Sequence, residues 1–213
     1  MAFYFPEGSS LQFTQTFASA KTISALTNAN PAVATSTAHG YTSGDEILLT
    51  SGWEDATDSI WKITVIDANS FSILGLDTTN TNFFAAGSGV GTAQKASAWA
   101  AIPQVLSVSA SGGDARFTDV NLLSRRNGIK LPTGFNATSV TLSLAHDPAQ
   151  ANFITMLGIS RNLSKVGFKQ VISGGAVTYG YGYMNVSEYP KLNSGNVNAV
   201  DAALTVLGRS ISY

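Results

Sequence analysis

Apolar residues in this chain recur at every second position in segment after segment. Only one stretch carries a helical period, so the chain is held to a mostly β fold. Leu11, Phe13 and Phe17 share one side of an extended segment. Val140, Leu142 and Leu144 share one side of a second, and Val200, Ala202, Leu204 and Val206 one side of a third. Successive side chains of a strand point to opposite faces, so each pattern predicts a strand with one face buried. The helical exception follows the second segment. Asp147 can cap it, Pro148 fits a first turn where its missing N–H costs nothing, and Gln150 completes a capping box. Ala149, Phe153, Met156 and Leu157 then fall on one face, and the helix is predicted to pack on a sheet. Lys165 to Ile172 and Ala176 to Val186, joined by Ser173-Gly174-Gly175, read as a β-hairpin. Strands, one helix, then more strands predict a mainly β chain, a rolled sheet or β-sandwich with one flanking α-helix.

The texture changes in the first half. From about Thr27 to Lys95 the chain is dense in Thr, Asn, Asp and Gly, with short strand-like runs at 45–50, 60–66 and 70–74. This predicts a small β module at 27–96, inserted into a larger β domain made of 1–26 and 97–213. Charge follows the same division. Residues 27–95 hold seven carboxylates against Lys62 and Lys95, a balance of −5, while the rest holds ten basic and six acidic residues, +4. Such asymmetry can steer docking, though most such differences are only solvated surface.

Charged residues are only 12% of the chain, about half the usual share, so Ser, Thr, Asn, Gln and Gly must carry the surface. Uncharged polar surface is easier to desolvate than charged surface, which suits a protein buried in an assembly. A soluble domain with a neutral surface would show the same composition. No cysteine is present, which removes disulfides, thiolate catalysis and Cys-based zinc sites. The first ten residues lack a basic segment followed by an apolar one, and no apolar run is long enough to span a membrane. A product made in a cytoplasm, with no membrane partner, is expected.

Little catalytic chemistry can be assembled from what remains. His39 and His146 lie in no metal or triad pattern, Gly-x-Ser-x-Gly is absent, and Gly87-Ser-Gly89-Val-Gly91 has the wrong spacing for a phosphate loop. A non-enzyme without cofactor or metal is expected. Glu54, Asp55 and Asp58 beside Trp53 and Trp61 leave a carbohydrate- or receptor-binding β module open as an alternative. Tyr179-Gly-Tyr181-Gly-Tyr183 puts three tyrosines on one strand face, predicted to pack against the helix or a neighbouring subunit. Residues 114–135 show no sustained period yet carry Arg116, Phe117, Asp119, Leu122, Leu123, Arg125, Arg126 and Lys130. They read as a long loop that seeks a surface, since a structureless loop of this length is uncommon unless functional. The cluster of Arg125, Arg126 and Lys130 is too small for a protein that grips nucleic acid by its phosphates.

Taken in order, several features resemble the tail tube proteins of long, non-contractile phage tails. They are the strand after Ala101, Gly112-Gly113, the Asp119-Val-Asn-Leu-Leu-Ser124 segment, the Thr138–His146 strand, Asp147-Pro-Ala-Gln150 opening a helix, the Gly174-Gly175 hairpin and the C-terminal strand. The segments Ala38–Leu49, Trp61–Ile66, Asn69–Ile73 and Gly75–Thr79 are similar to a small β-barrel module of phage structural proteins, called FCCH-like after a ubiquitin-activating enzyme, with no ubiquitin chemistry implied. The resemblance implies a virion subunit made in the bacterial host. Its copies would form hexameric rings, joining sheets around a lumen through which phage DNA passes unbound. The rings would stack into a tube that meets a tape measure protein and terminator and tip proteins. It assigns Phe3, Tyr4, Phe5 and the segment 114–135 to contacts within and between rings. It places Glu188 and Asp201 on a lumen expected to be acidic. A tail-terminator-like ring protein is a further reading.

Overall fold

A computed structural model describes residues 7–192 and 194–213. Phe3, Tyr4 and Phe5 lie outside the described residues. In chain order the strands are β1 (Ser10–Thr14), β2 (Lys21–Ile23), β3 (Ala25–Leu26), β4 (Val33–Thr35), β5 (Glu46–Ser51), β6 (Ser59–Asp67), β7 (Ser70–Ile73), β8 (Gly91–Lys95), β9 (Ala100–Ala101), β10 (Val105–Ser111), β11 (Ala115–Val120), β12 (Ile129–Phe135) and β13 (Ser139–Ala145). The helix α1 (Ala151–Arg161) follows, then β14 (Lys165–Val171), β15 (Val177–Val186), β16 (Ala199–Val206) and β17 (Ile211–Ser212). The chain is mainly β with one helix, as its alternation predicts.

The first sheet runs β10-β13-β16-β15-β14-β1-β9, all antiparallel, with β17 added to the start of β15. It is rolled. Residues of β10 and of β1 and β9, from its two edges, line one groove of about 720 Å³ together with Gln170 and Ile172. The apolar set predicted from alternation forms its core: Leu11 and Phe13, Leu142 and Leu144, and Val200, Ala202, Leu204 and Val206 are buried against Phe153, Met156 and Ile159 of α1.

The helix begins later than its capping pattern predicts. Asp147 Oδ1 accepts from the Ala149 N–H, and the Gln150 N–H reaches the Asp147 carbonyl, so Asp147 and Pro148 make a turn ahead of the helix. Gln150 is the cap, in extended backbone, its side chain accepting from the Ala151 N–H at 3.2 Å. Ala149 therefore stands outside the helix and exposed, and the buried face is Phe153, Met156 and Ile159.

The second sheet runs β2-β8-β5-β6-β7-β4-β3 around its own core, which includes Ile47, Leu49, Trp53, Trp61, Ile63 and Phe71. The strands at 21–26, grouped on sequence with the larger unit, hydrogen-bond within this sheet: Lys21 to Ile23 with β8, and Ala25 and Leu26 with β4. His39 is buried between Tyr41 and Phe71. Its Nδ1 accepts from the Tyr41 N–H, which leaves the proton on Nε2 to donate to the Asp67 carbonyl at 3.0 Å. It is a core histidine held by backbone groups on both ring nitrogens.

The two sheets meet through the tyrosine strand. Tyr179 and Tyr181 are buried against Leu48 and Ile60 of the second sheet, while Tyr183 is partly exposed. The helix covers the opposite face of β15, where Met184 and Val186 join its core. The prediction of tyrosines facing the helix is thus corrected. The same strand carries the helix on one face and the second sheet on the other.

Candidate assembly surface

Residues 114–135 form an arm, not an irregular loop. β10 and β13 pair from Val105↔Leu144 to Ser111↔Ser139, and the chain continues through Gly112, Gly113 and Asp114 into β11, which pairs with β12 from Ala115↔Phe135 to Val120↔Ile129. The Gly113 N–H to Asn136 carbonyl and Asn136 N–H to Asp114 carbonyl bonds carry the ladder across the junction. One long hairpin therefore leaves the sheet and runs beyond it. Six strand residues at about 3.3 Å each give it a reach of about 20 Å. Gly112 sits at φ +85, and an added Cβ would stand 2.1 Å from the Ala137 carbonyl oxygen, so the bend into the arm depends on glycine.

No residue of the arm is fully buried, and only Val120, Ile129 and Gly134 are half-buried. Phe117 and Pro132 lie opposite one another on one face beside the pair Asp119 and Lys130, and Thr118, Val120, Ile129 and Leu131 share the other. Phe117, Leu122, Leu123, Leu131 and Phe135 are all exposed. The Lys130 to Asp119 pair, at 3.9 Å between exposed groups, adds little. Arg116, Arg125 and Arg126 are exposed as well. A two-stranded hairpin without a sheet or helix beneath it is marginal in water.

The edge and outer face of the first sheet have a different chemistry. Ser107, Ser143 and Asp201 stand in one cross-strand row, Ser109, Thr141 and Ala203 in the next, and Ser111, Ser139 and Thr205 in a third. Asp201 is paired with Lys191. Glu188, beyond the end of β15, binds Arg161 Nε at 2.7 Å, and that guanidinium holds its carboxyl below the usual range.

The aromatic residues considered for sugar binding are elsewhere. Trp53 and Trp61 are buried in the second core, their indole N–H groups donating to the carbonyls of Ala85 at 2.9 Å and Ala56 at 3.3 Å. Neither can stack on an external ring, which removes the basis of the carbohydrate reading. Asp58 pairs with Lys165 across the two sheets. Among the described residues no three acidic or His side chains gather to hold a metal, and no helix is long and apolar enough to cross a membrane.

Residues 51–213, well over half of the chain, match the family described as phage tail tube protein, TTP. The match begins at the end of β5, inside the second sheet, and continues through the arm, the helix and the last strand. No curated protein matches the chain.

Proposed function

From the premise that this chain belongs to the phage tail tube protein family, we propose that its copies form hexameric rings that stack into the tube through which the phage genome leaves. Family membership makes the chain a structural component of a phage tail. The arm of β11 and β12 carries the finer reading, because it leaves the sheet with apolar side chains on both faces and nothing in its own chain to cover them. A neighbouring subunit supplies that cover. Phe117, Leu122, Leu123 and Leu131 are the anchors, and Arg116, Arg125, Arg126 and Lys130 set the register.

The lumen side follows from what is left uncovered. One face of β15 carries the helix and the other the second sheet, so the hydroxyl rows of β10, β13 and β16 are the remaining broad surface. Asp201 lies in those rows, and no Lys or Arg does. DNA sticks to protein chiefly through cations on its phosphates, and the cation beside these rows, Lys191, is paired with Asp201. Glu188 stands at the rim. The second sheet, with its own core, packs on the Tyr179 and Tyr181 part of that same face. The tape measure protein would occupy the lumen before ejection, with terminator and tip proteins at the two ends.

Negative-stain electron microscopy of the concentrated protein tests the reading. Hollow tubes or six-membered rings are expected. A chain that stays monomeric at every concentration and never enters tails would overturn it. Replacing residues 115–135 with a short turn should leave a folded monomer that cannot polymerise.

A further inference from the structure

The turn that joins β11 to β12 holds Asn127-Gly128, the only Asn-Gly pair in the chain. Such a pair is a chemical weak point. The backbone nitrogen after an asparagine can attack the side-chain carbonyl carbon, and a glycine there sets neither a Cβ nor a narrow range of φ and ψ in the way. Whether the pair reacts depends on how tightly the fold holds it. Asn127 and Gly128 are both exposed and lie outside the ladder, which begins at Val120↔Ile129. Among the described residues nothing hydrogen-bonds the Asn127 side chain, and the Gly128 N–H meets no backbone carbonyl.

Other asparagines are held. Asn28 Nδ2 donates to the Thr78 and Phe84 carbonyls at 3.0 and 2.8 Å, Asn152 Nδ2 donates to the Ala101 carbonyl at 2.8 Å, and Asn69 Oδ1 accepts from the Ala38 N–H at 2.9 Å. Each of these bonds must break before the amide carbon can turn onto the backbone. At the tip the surroundings favour attack instead. Arg125, Arg126 and Lys130 are exposed beside the pair, and cations stabilise the anion formed when the Gly128 nitrogen gives up its proton. The space that a Cβ on Gly128 would fill is taken by Asn121 Oδ1, 2.6 Å away, so the turn in this form takes glycine.

We infer that Asn127 is a site of spontaneous deamidation. The Gly128 nitrogen bonds to Asn127 Cγ, its proton passes through solvent to Nδ2, and Nδ2 leaves as ammonia, closing a succinimide ring. Water then adds to one of the two ring carbonyls and opens the ring. One opening gives aspartate, and the other gives isoaspartate, with the main chain routed through the side-chain carbon. One water is consumed, one ammonia is released, and nothing is oxidised or reduced. Both products set a carboxylate among the tip's cations, and isoaspartate also lengthens the backbone just before the ladder starts at Ile129. Resting on the tube reading above, that charge falls among the groups that set register, so a converted subunit joins the tube less readily.

The purified chain is held at neutral and at mildly alkaline pH and mapped by mass spectrometry, with fragmentation that separates isoaspartate from aspartate. Asn127 is expected to convert about tenfold or more faster than Asn28, Asn69 and Asn152, the factor that one hydrogen bond supplies, and faster at the higher pH. Conversion no faster than at those three, or none, would overturn the inference. In Asn127→Gln the attack needs a slower six-membered ring, so the tip should keep its mass with unchanged circular dichroism. A mass gain there at the wild-type rate would also overturn it. Asn127→Asp carries the charge without the longer backbone and should need a severalfold higher concentration for tube growth, with aged wild type higher still. Fresh-wild-type thresholds in both would overturn the effect on assembly and leave the modification site standing. A fresh wild type that forms neither rings nor tubes would overturn the tube reading, while the mass measurement still decides the site.

Discussion

Glu46 of β5 accepts a hydrogen bond from the phenol of Tyr179 of β15 and, with the same Oε1, one from Lys169 Nζ at 2.7 Å. The carboxylate belongs to the second sheet and both donors to the first, so this triad joins the two units. Glu46 and Lys169 side chains are 13% and 19% exposed, shielded enough that solvent does little to screen the pair. Removing the acceptor leaves a cation and a phenol unpaired at a covered boundary. Glu46→Ala is expected to cost about 2–4 kcal/mol in urea unfolding, within the range for breaking a buried pair. A loss below about 0.5 kcal/mol, typical of surface substitutions, would show the pair to be ornamental.

Tyrosine ionisation offers a second measurement at the same boundary. Burial, then the bond to Glu46, pushes the Tyr179 phenol far above its ordinary value of 10.0. Burial also raises Tyr181 and Tyr213, and burial with the nearby Asp45 raises Tyr41 to about 12. A group whose folded pKa is raised contributes stability that is complete below its unfolded pKa and is lost as pH rises through the folded one. The fold should therefore hold to about pH 10 and weaken above it. Tyrosinate absorbance of the native protein is expected to rise late and in step with loss of circular dichroism. Full ionisation of all seven tyrosines in a still-folded chain would contradict the packing of this strand.

How far these features were readable in the sequence depends on what covers each face. The strand Ser139–Ala145 was legible because one face is buried by its own chain, so Leu142 and Leu144 alternate with polar residues. The arm was not. Neither of its faces is buried within the chain, and apolar residues fall on both, which erases the period that marks a strand. The direction of the Tyr179 face was hidden for the opposite reason, since both faces of β15 are covered and alternation cannot say by what. Lys21 to Leu26 pair with β8 and β4, and no local pattern names a strand's partner, so the boundary at residue 26 could not be read from the sequence.

Asp45, the most shielded of the carboxyls held below their ordinary range, contributes to the acid side of the stability curve. Burial alone would raise its pKa, but Lys95 at 2.7 Å and the N–H and hydroxyl of Thr42, each at 2.9 Å, outweigh that and hold the carboxyl below its ordinary 3.8. A depressed carboxylate contributes stability above its unfolded pKa and loses it as pH falls through the folded one. Stability should therefore decline as pH drops below about 4. Asp45→Asn should cost about 1–2 kcal/mol at neutral pH and flatten that decline. An unchanged acid limb in the variant would assign it to other groups.

Trp53→Ala separates a core tryptophan from a sugar-stacking one. Trp53 packs edge-on to Phe84 inside the second core and is 2% exposed. Truncating it should cost about 3–5 kcal/mol, and Trp53→Phe distinctly less. Near-ultraviolet circular dichroism with thermal unfolding reads this out. Full stability coupled to loss of glycan binding would restore the receptor reading.

Gly112 tests whether the direction of the arm, and not only its presence, governs assembly. A methyl group there meets the Ala137 carbonyl oxygen at 2.1 Å, so Gly112→Ala must move the β10–β11 bend away from β12 and β13. The cores of both sheets lie elsewhere. Gly175 provides the control: it has φ +91 in the β14–β15 turn at the same end of the sheet, but an added Cβ would meet open space. Both substitutions carry the cost of a left-handed backbone, about 1–3 kcal/mol, so both should lower the thermal midpoint. Only Gly112→Ala also mis-aims the arm. If that removes about 1.4 kcal/mol of contact per subunit, the concentration needed for tube growth rises about tenfold, while Gly175→Ala polymerises near the wild-type threshold. Equal thresholds in the two variants, measured by sedimentation and microscopy, would show that the arm finds its neighbour whatever its starting direction.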